Sequence, residues 1–318
     1  MPLIDMPLDD LRAYAGRNPR PDDFDQYWER ALAELAAQPD QLEWTPRESP
    51  PNAEWLDLWF TGVGGARIHA RVLRPKGQTQ PGPAVLEFHG YQWMAPDFAE
   101  MMRWVAAGFT VFALDVRGQG GLSQDIGGVT GPTDDGHITR GLPGGADNLL
   151  FRQIFLDCAQ LARIALADPM VDPTRVHCIG GSQGGALALV CAALEPRIAR
   201  CVSVFPYLCD YKRVYEMDLA TRAYEDIRTY LRRYLPTHED VEGFWRTLGY
   251  IDVQFLASRI RAEVLAGCGL MDTVCPPSTQ FAAYNKLTCP HEVAIYPDFG
   301  HEGLRGFNDR AYRFLTRE

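Results

Sequence analysis

From residue 83 onward the chain alternates short, wholly apolar runs with longer stretches whose apolar residues recur every three or four positions. Pro83-Ala84-Val85-Leu86-Glu87-Phe88 and Thr110-Val111-Phe112-Ala113-Leu114-Asp115-Val116 have the continuous apolar character of strands covered on both faces. Between them, Phe98 to Ala107 has helical spacing and closes at Gly108. A helix over Leu150 to Ala167, with Ile154, Cys158, Leu161 and Ile164 on one face, leads to a strand at Val176 to Ile179 and a second helix beyond Gln183. Strands follow at Cys201 to Phe205, Glu263 to Cys268 and Glu292 to Tyr296; Pro276-Pro277 opens one helix, and Leu304 to Leu315 forms the last. Strands and helices in strict alternation imply right-handed crossovers, and so an α/β fold with a mostly parallel central sheet flanked by helices.

Four stretches depart from that rhythm. Pro21 and Asp22 precede a helix running to Gln38 within an N-terminal extension over residues 1–40, outside the core motif. After it, Trp55 to Phe60 and the alternating Ala66 to Val72, separated by Gly62-Val63-Gly64-Gly65, predict an antiparallel hairpin, with His69 on its solvent-facing side. Gly118 to Asp147 is glycine-rich and without periodicity, which predicts a long loop of the kind that serves a site. Residues 210–258 are helical, charged and rich in tyrosine, and read as a cap-like insertion over the C-terminal edge of the sheet. With no internal repeat and no linker, residues 1–318 are expected to form a single domain.

Composition narrows the partners. A formal charge of -10 argues against nucleic acid and anionic membranes, both of which need basic surface. The beginning of the chain lacks a basic, apolar leader and the apolar runs are too short to span a bilayer, so a cytoplasmic protein is expected. The eight cysteines contain no C-x-x-C pair and mostly fall in apolar segments, as buried free thiols do; Cys268 and Cys275 are the nearest pair, and a disulfide between them is not favoured.

Candidate chemistry centres on Gly180-Gly181-Ser182-Gln183-Gly184, which joins a strand to a helix. Glycines at both flanks allow a sharp turn that pushes the Ser182 hydroxyl out of the sheet edge, with the first helical N–H groups aimed at whatever bonds to it. A serine hydroxyl needs a base and an acid that orients the base. His301 lies just past the last strand, and Asp272 lies past the strand ending at Cys268, so a parallel sheet brings both to the edge that carries Ser182. Asp298 is the alternative acid, but three positions before His301 on the same loop it approaches the imidazole awkwardly. Asp272 could also serve only as a helix cap. The order Ser182, Asp272, His301 is that of α/β-hydrolases. The N–H of Gln183 and the N–H of Tyr91, in the His89-Gly90-Tyr91 loop, are the expected oxyanion donors, and His89 is expected to brace that loop.

Arg117-Gly118-Gln119, Gly180-Gly181-Ser182-Gln183-Gly184 and His301-Glu302, in that order, resemble the signature of the carbohydrate esterase family 7 acetyl xylan esterases and cephalosporin C deacetylases. The likeness extends to Met6-Pro7-Leu8-Asp9-Asp10-Leu11, His89-Gly90-Tyr91, Gly269-Leu270-Met271-Asp272 and Cys275 to Asn285. It implies a triad of Ser182, Asp272 and His301, oxyanion donors at Tyr91 and Gln183, no metal or other cofactor, and small acetylated substrates such as xylo-oligosaccharides, other sugars and cephalosporin C. It also implies a homo-hexamer with sites facing an inner cavity. Tyr91, Pro206 and Tyr207 are the expected pocket residues, while Arg117 and Gln119 are expected to brace the site. The chain departs from the family pattern at Leu149-Leu150-Phe151-Arg152, where tyrosines are common, and at Phe205, where an acidic residue is expected. A peptidase or longer-chain esterase of the same fold, or a non-catalytic binding protein built on it, are the rival readings.

Overall fold

The structure, a computed structural model, describes residues 4–126 and 134–317. In chain order its elements are α1 (Leu8–Ala13), α2 (Phe24–Ala37), β1 (Glu43–Pro46), β2 (Ala53–Thr61), β3 (Arg67–Pro75), β4 (Gly82–Phe88), α3 (Phe98–Ala106), β5 (Thr110–Leu114), α4 (Leu150–Ala167), β6 (Val171–Gly181), α5 (Gln183–Leu194) and β7 (Arg200–Val204). There follow α6 (Tyr211–Glu216), α7 (Glu225–Tyr234), α8 (Val241–Leu248), β8 (Glu263–Gly269), α9 (Pro277–Tyr284), β9 (His291–Tyr296) and α10 (Phe307–Thr316).

The strands form one sheet in the order β1-β2-β3-β5-β4-β6-β7-β8-β9. From β5 to β9 every neighbouring pair is parallel; β1, β2 and β3 add an antiparallel margin on the β5 side. Strand periodicity sorts side chains between two apolar layers: Leu86, Phe112 and Leu114 face one, and Val85, Val111 and Ala113 the other. The larger layer holds α4, α5 and the helices of residues 211–259, and the smaller one α3 and α10. Helix α5 is buried throughout, and its small residues are what let it lie so close to the sheet. A Cβ at Gly184 would stand 2.0 Å from the Phe88 carbonyl oxygen.

Four features differ from the sequence reading. The edge strand β1, Glu-Trp-Thr-Pro, has no alternation to reveal it, because an edge strand with little burial needs none. Helix α2 does not stand apart from the core: Phe24 and Trp28 are fully buried, and Trp28 stacks on Phe155 of α4. His69 is not a surface residue; its Nδ1 lies 2.6 Å from an Asp115 oxygen and its Nε2 3.2 Å from an Asp57 oxygen, under the Trp59 ring. Alternation identified the polar face of β3 but not what covers it, which is the chain leaving β5 and folding back at Ser123. Residues 127–133 of the expected long loop lie outside the described residues, and the rest of that stretch carries two short helical turns, Leu142–Gly144 and Ala146–Asn148.

The N-terminal stretch and residues 210–258 hold each other. Asp210 accepts hydrogen bonds from the Tyr14 hydroxyl at 2.7 Å and from the backbone N–H of Arg17 and Asn18, and its own N–H donates to Asp252. At the start of α7, Asp226 accepts from the Thr139 N–H and hydroxyl, tying α7 to the loop ahead of α4. Burial, opposed by those hydrogen bonds, pushes the Asp226 carboxyl up to about 7. A raised carboxyl keeps in the folded state a proton that the unfolded chain releases above about pH 4. Its stabilisation is therefore present at low pH and lost as pH rises toward 7. Asp226→Asn, which cannot ionise, should flatten the fall in melting temperature between about pH 4 and 7; Asp252, which burial and the neighbouring Asp210 charge push up to about 7, adds a slope of the same sign that the variant keeps. Thermal melts of both proteins across that range check this.

Candidate active site

Ser182 stands between β6 and α5 with φ +55°, a left-handed conformation that a non-glycine residue adopts only under constraint. The constraint is local. The Ser182 N–H donates to the Val204 carbonyl at 2.9 Å, its carbonyl accepts from Ala186 and Tyr207, and Gly180 packs so tightly on Gly184 that a Cβ there would fall 2.2 Å from backbone atoms. The strand-to-helix turn is thus pinned on both sides, and the hydroxyl is presented at the C-terminal edge of the sheet.

His301, in the loop between β9 and α10, places Nε2 2.9 Å from Ser182 Oγ. Its Nδ1 lies 2.8 Å from Oδ2 of Asp272, in the loop after β8. Asp272 is fully buried; its Oδ1 accepts the N–H groups of Val274 and Cys275, each at 2.8 Å, and the Gln280 amide reaches Oδ2 at 3.4 Å. Asp272, not Asp298, therefore faces the imidazole, and the N–H groups it caps belong to the turn ahead of α9. With Nδ1–H donating to a carboxylate, Nε2 is left as the acceptor toward the serine hydroxyl. The Phe205 ring packs against the imidazole at a tilt of 52°, with centroids 4.6 Å apart.

Gln183 is the first residue of α5, directly after Ser182, so its N–H is a helix N-terminal donor with no intrahelical acceptor. The Gly90–Tyr91 loop faces it across the site. Gln119 joins the two: its amide exchanges paired hydrogen bonds with the Gln183 side chain, at 2.7 and 3.0 Å, and its Oε1 also accepts the Gln92 N–H at 2.9 Å. Arg117 makes a buried bidentate pair with Asp157 of α4, both bonds 2.6 Å, and so anchors the root of the Gln119 loop. His89 accepts the Val116 N–H at Nε2 and donates from Nδ1 to the Gly90 carbonyl, and burial holds its pKa below the usual imidazole value. Both signature residues and His89 thus act on loop position.

A cavity of about 560 Å³ opens beside the serine, lined by Gly90, Tyr91, Gln92, Asp135, Arg222, Ala223, Glu225 and Val274 together with Ser182 and His301. Of the three residues expected there, Tyr91 is on the wall; Pro206 and Tyr207 are not. Tyr207 is buried one layer down, beneath Tyr91, with its hydroxyl turned to backbone carbonyls of Gly136 and Ala223, because its N–H is bound to the Ser182 carbonyl and the chain turns inward there. Gln92, Asp135, Arg222 and Glu225 were missed, since surface polar residues on a loop and a helical insertion carry no periodic or motif signal. The Tyr91 hydroxyl accepts the Gly136 N–H and lies 2.8 Å from His137 Nδ1, so it joins the two halves of the cavity wall. Cys268 and Cys275 are free, buried thiols; that of Cys275 lies by the Ser182 and Tyr224 hydroxyls, and burial pushes its pKa well up.

A serine held in a strained turn at the edge of a mainly parallel sheet, with histidine and aspartate arriving from the loops after later strands, defines an α/β-hydrolase fold and site. Within that class the chain belongs to the acetyl xylan esterase (AXE1) family, whose model matches residues 1–318, a family of carboxylic ester hydrolases. It is similar to acetyl xylan esterase 1 of Thermoanaerobacterium sp. JW/SL YS485, with 53% identity, a TM-score of 0.97 and 98% of this chain and 99% of that one covered. The acetyl xylan esterase of Paenibacillus sp. R4 is 36% identical, with a TM-score of 0.92 over 98% of this chain and 99% of its own. The acetyl esterase Axe7A of Xylanibacter ruminicola is 34% identical over 164 residues, 52% of this chain but only 35% of that protein, so the chain matches about a third of that relative's length. An acylaminoacyl peptidase of Pyrococcus horikoshii, at 14% identity and a TM-score of 0.55, shares the fold alone.

Proposed function

We propose that this chain is a serine esterase that removes acetyl groups from small acetylated carbohydrates, acetylated xylo-oligosaccharides first among them, through an acetyl-Ser182 intermediate. The observation that carries the reading is the pair of contacts on His301, 2.9 Å to Ser182 Oγ and 2.8 Å to Asp272 Oδ2. Ser182 Oγ attacks the acetyl carbonyl as its proton passes to His301 Nε2. The oxyanion forms at the N-terminus of α5, where the N–H groups of Gln183 and Tyr91 donate to it, and such a donor contributes about 2.7–4 kcal/mol at the transition state. As the tetrahedral intermediate collapses, the ester C–O bond breaks and the imidazolium returns its proton to the departing sugar oxygen. Water, deprotonated by the same Nε2, then attacks the acetyl-serine and releases acetate, with the Ser182 oxygen taking back the proton.

The cavity supports a sugar on the alcohol side. Gln92, Asp135, Arg222 and Glu225 offer donors and acceptors for hydroxyl groups around the Tyr91 ring, and about 560 Å³ is room for a short oligosaccharide end rather than a polymer in mid-chain. Cephalosporin C as a further acetyl donor and a homo-hexameric assembly belong to the same proposal and rest on the family likeness; a cytoplasmic location, expected from the sequence, is proposed with them. The test is acetate release from a panel of acetylated xylo-oligosaccharides, acetylated glucose and cephalosporin C, with N-acetyl peptides alongside. Acetate from the sugars and none from the peptides supports the reading. Peptide cleavage, or no acetate from any sugar, overturns it.

A further inference from the structure

A second cavity, of about 300 Å³, lies on the α3/α10 side of the sheet directly behind the elbow. Its near wall is Gly180, Gly181 and the Phe205 ring, and Val204, Leu304 and Phe307 line its depth. The Glu87–Arg103 ion pair, at 2.6 Å, lies at its far end. Neither Ser182 nor His301 is on its wall, although each is next to something that is. The link between the two cavities is Phe205, which lines the second and touches His301 of the first. One side of its ring packs on the His301 imidazole, and its edge lies over Gly181, where a Cβ would meet ring carbons at 3.6 and 3.9 Å.

The chain holds that ring in place against its own preference. Phe205 has φ +34°, in the region that disfavours L-residues, and is fixed there by its N–H bond to the Gly267 carbonyl at 2.8 Å. Strain in a residue that touches the base and also lines a second cavity, whose depth is apolar at Val204, Leu304 and Phe307, points to a role in what the site admits. We propose that Phe205 is a specificity-determining residue for the acyl group: its ring limits the acyl chain to acetyl, and the space behind it is a latent site for butanoyl to octanoyl chains. The inference rests on the esterase reading and adds to it the residue that sets acyl length.

The experiment compares kcat/KM for p-nitrophenyl acetate, butanoate, hexanoate and octanoate in wild type, Phe205→Leu, Phe205→Ala and Phe205→Ala combined with Leu304→Phe. Each newly buried methylene is worth about fourfold, so the hexanoate-to-acetate ratio should rise by about tenfold or more in Phe205→Ala even with partial burial. Phe205→Leu should fall between, and it carries the test if the alanine variant does not fold. Leu304→Phe refills the cavity from its other wall and should bring the ratio back toward wild type. A ring that merely steadies His301 would lower all four esters by one factor; an unchanged ratio in an active Phe205 variant overturns the proposal. Wild-type acetate turnover that persists in Ser182→Ala would instead sink the esterase reading on which it stands.

Discussion

Ser182→Ala should lower kcat for p-nitrophenyl acetate by about a million-fold, with the melting temperature within a few degrees of wild type. In a serine hydrolase whose nucleophile is removed, losses of that order leave only what oxyanion donors and substrate binding provide. Among the described residues the hydroxyl's contacts are with side chains, His301 Nε2 at 2.9 Å and the Cys275 thiol beside it. Alanine keeps the Cβ and tolerates the same φ of +55° no worse than serine, so the turn, held by the N–H and carbonyl of residue 182, stays intact. Loss of activity with retained stability is what separates a nucleophile from a structural serine.

Asp272→Asn should cost about 10⁴-fold in kcat, again with little change in stability. The direction follows from what surrounds the carboxylate. Oδ1 is committed to the N–H groups of Val274 and Cys275, so an asparagine must put its oxygen there and turn its amide NH₂ toward His301. Nδ1 of the imidazole then has to accept rather than donate, the proton moves to Nε2, and the atom facing Ser182 can no longer take the serine proton. Geometry is preserved and the tautomer is wrong. Stopped-flow or steady-state kinetics beside a thermal melt measures both halves of this expectation.

How much of this was legible beforehand depended on the kind of signal each residue leaves. The strands of the parallel core, buried on both faces, show as apolar runs, and the glycines around Ser182 show because no other residue fits where Gly184 meets the Phe88 carbonyl. Sheet topology then brings Asp272 and His301 to the same edge, since each follows a parallel strand. His69 was misread because periodicity reports which face a side chain is on and not whether a later segment covers that face; Asp115 and Ser123 come from the far end of β5. Beyond Ser182 and His301, the cavity wall was legible only at the Gly90–Tyr91 turn. Arg222 and Glu225 belong to the helical stretch after β7, whose docking on the N-terminal segment through Asp210 is a long-range contact with no local trace. Pro206 and Tyr207 were placed one layer too high for the same reason: the direction of the chain after β7 is set by the Tyr207 N–H bond to Ser182, which no pattern announces.

The central claim is that Ser182 is made nucleophilic by the imidazole beside it. Labelling of the purified protein with a fluorophosphonate, read by peptide mass spectrometry in wild type and in His301→Ala, tests that most directly. The account predicts one covalent adduct per chain, on Ser182, and loss of rapid labelling in the histidine variant. An unmodified Ser182, or labelling that proceeds equally fast without His301, would contradict it.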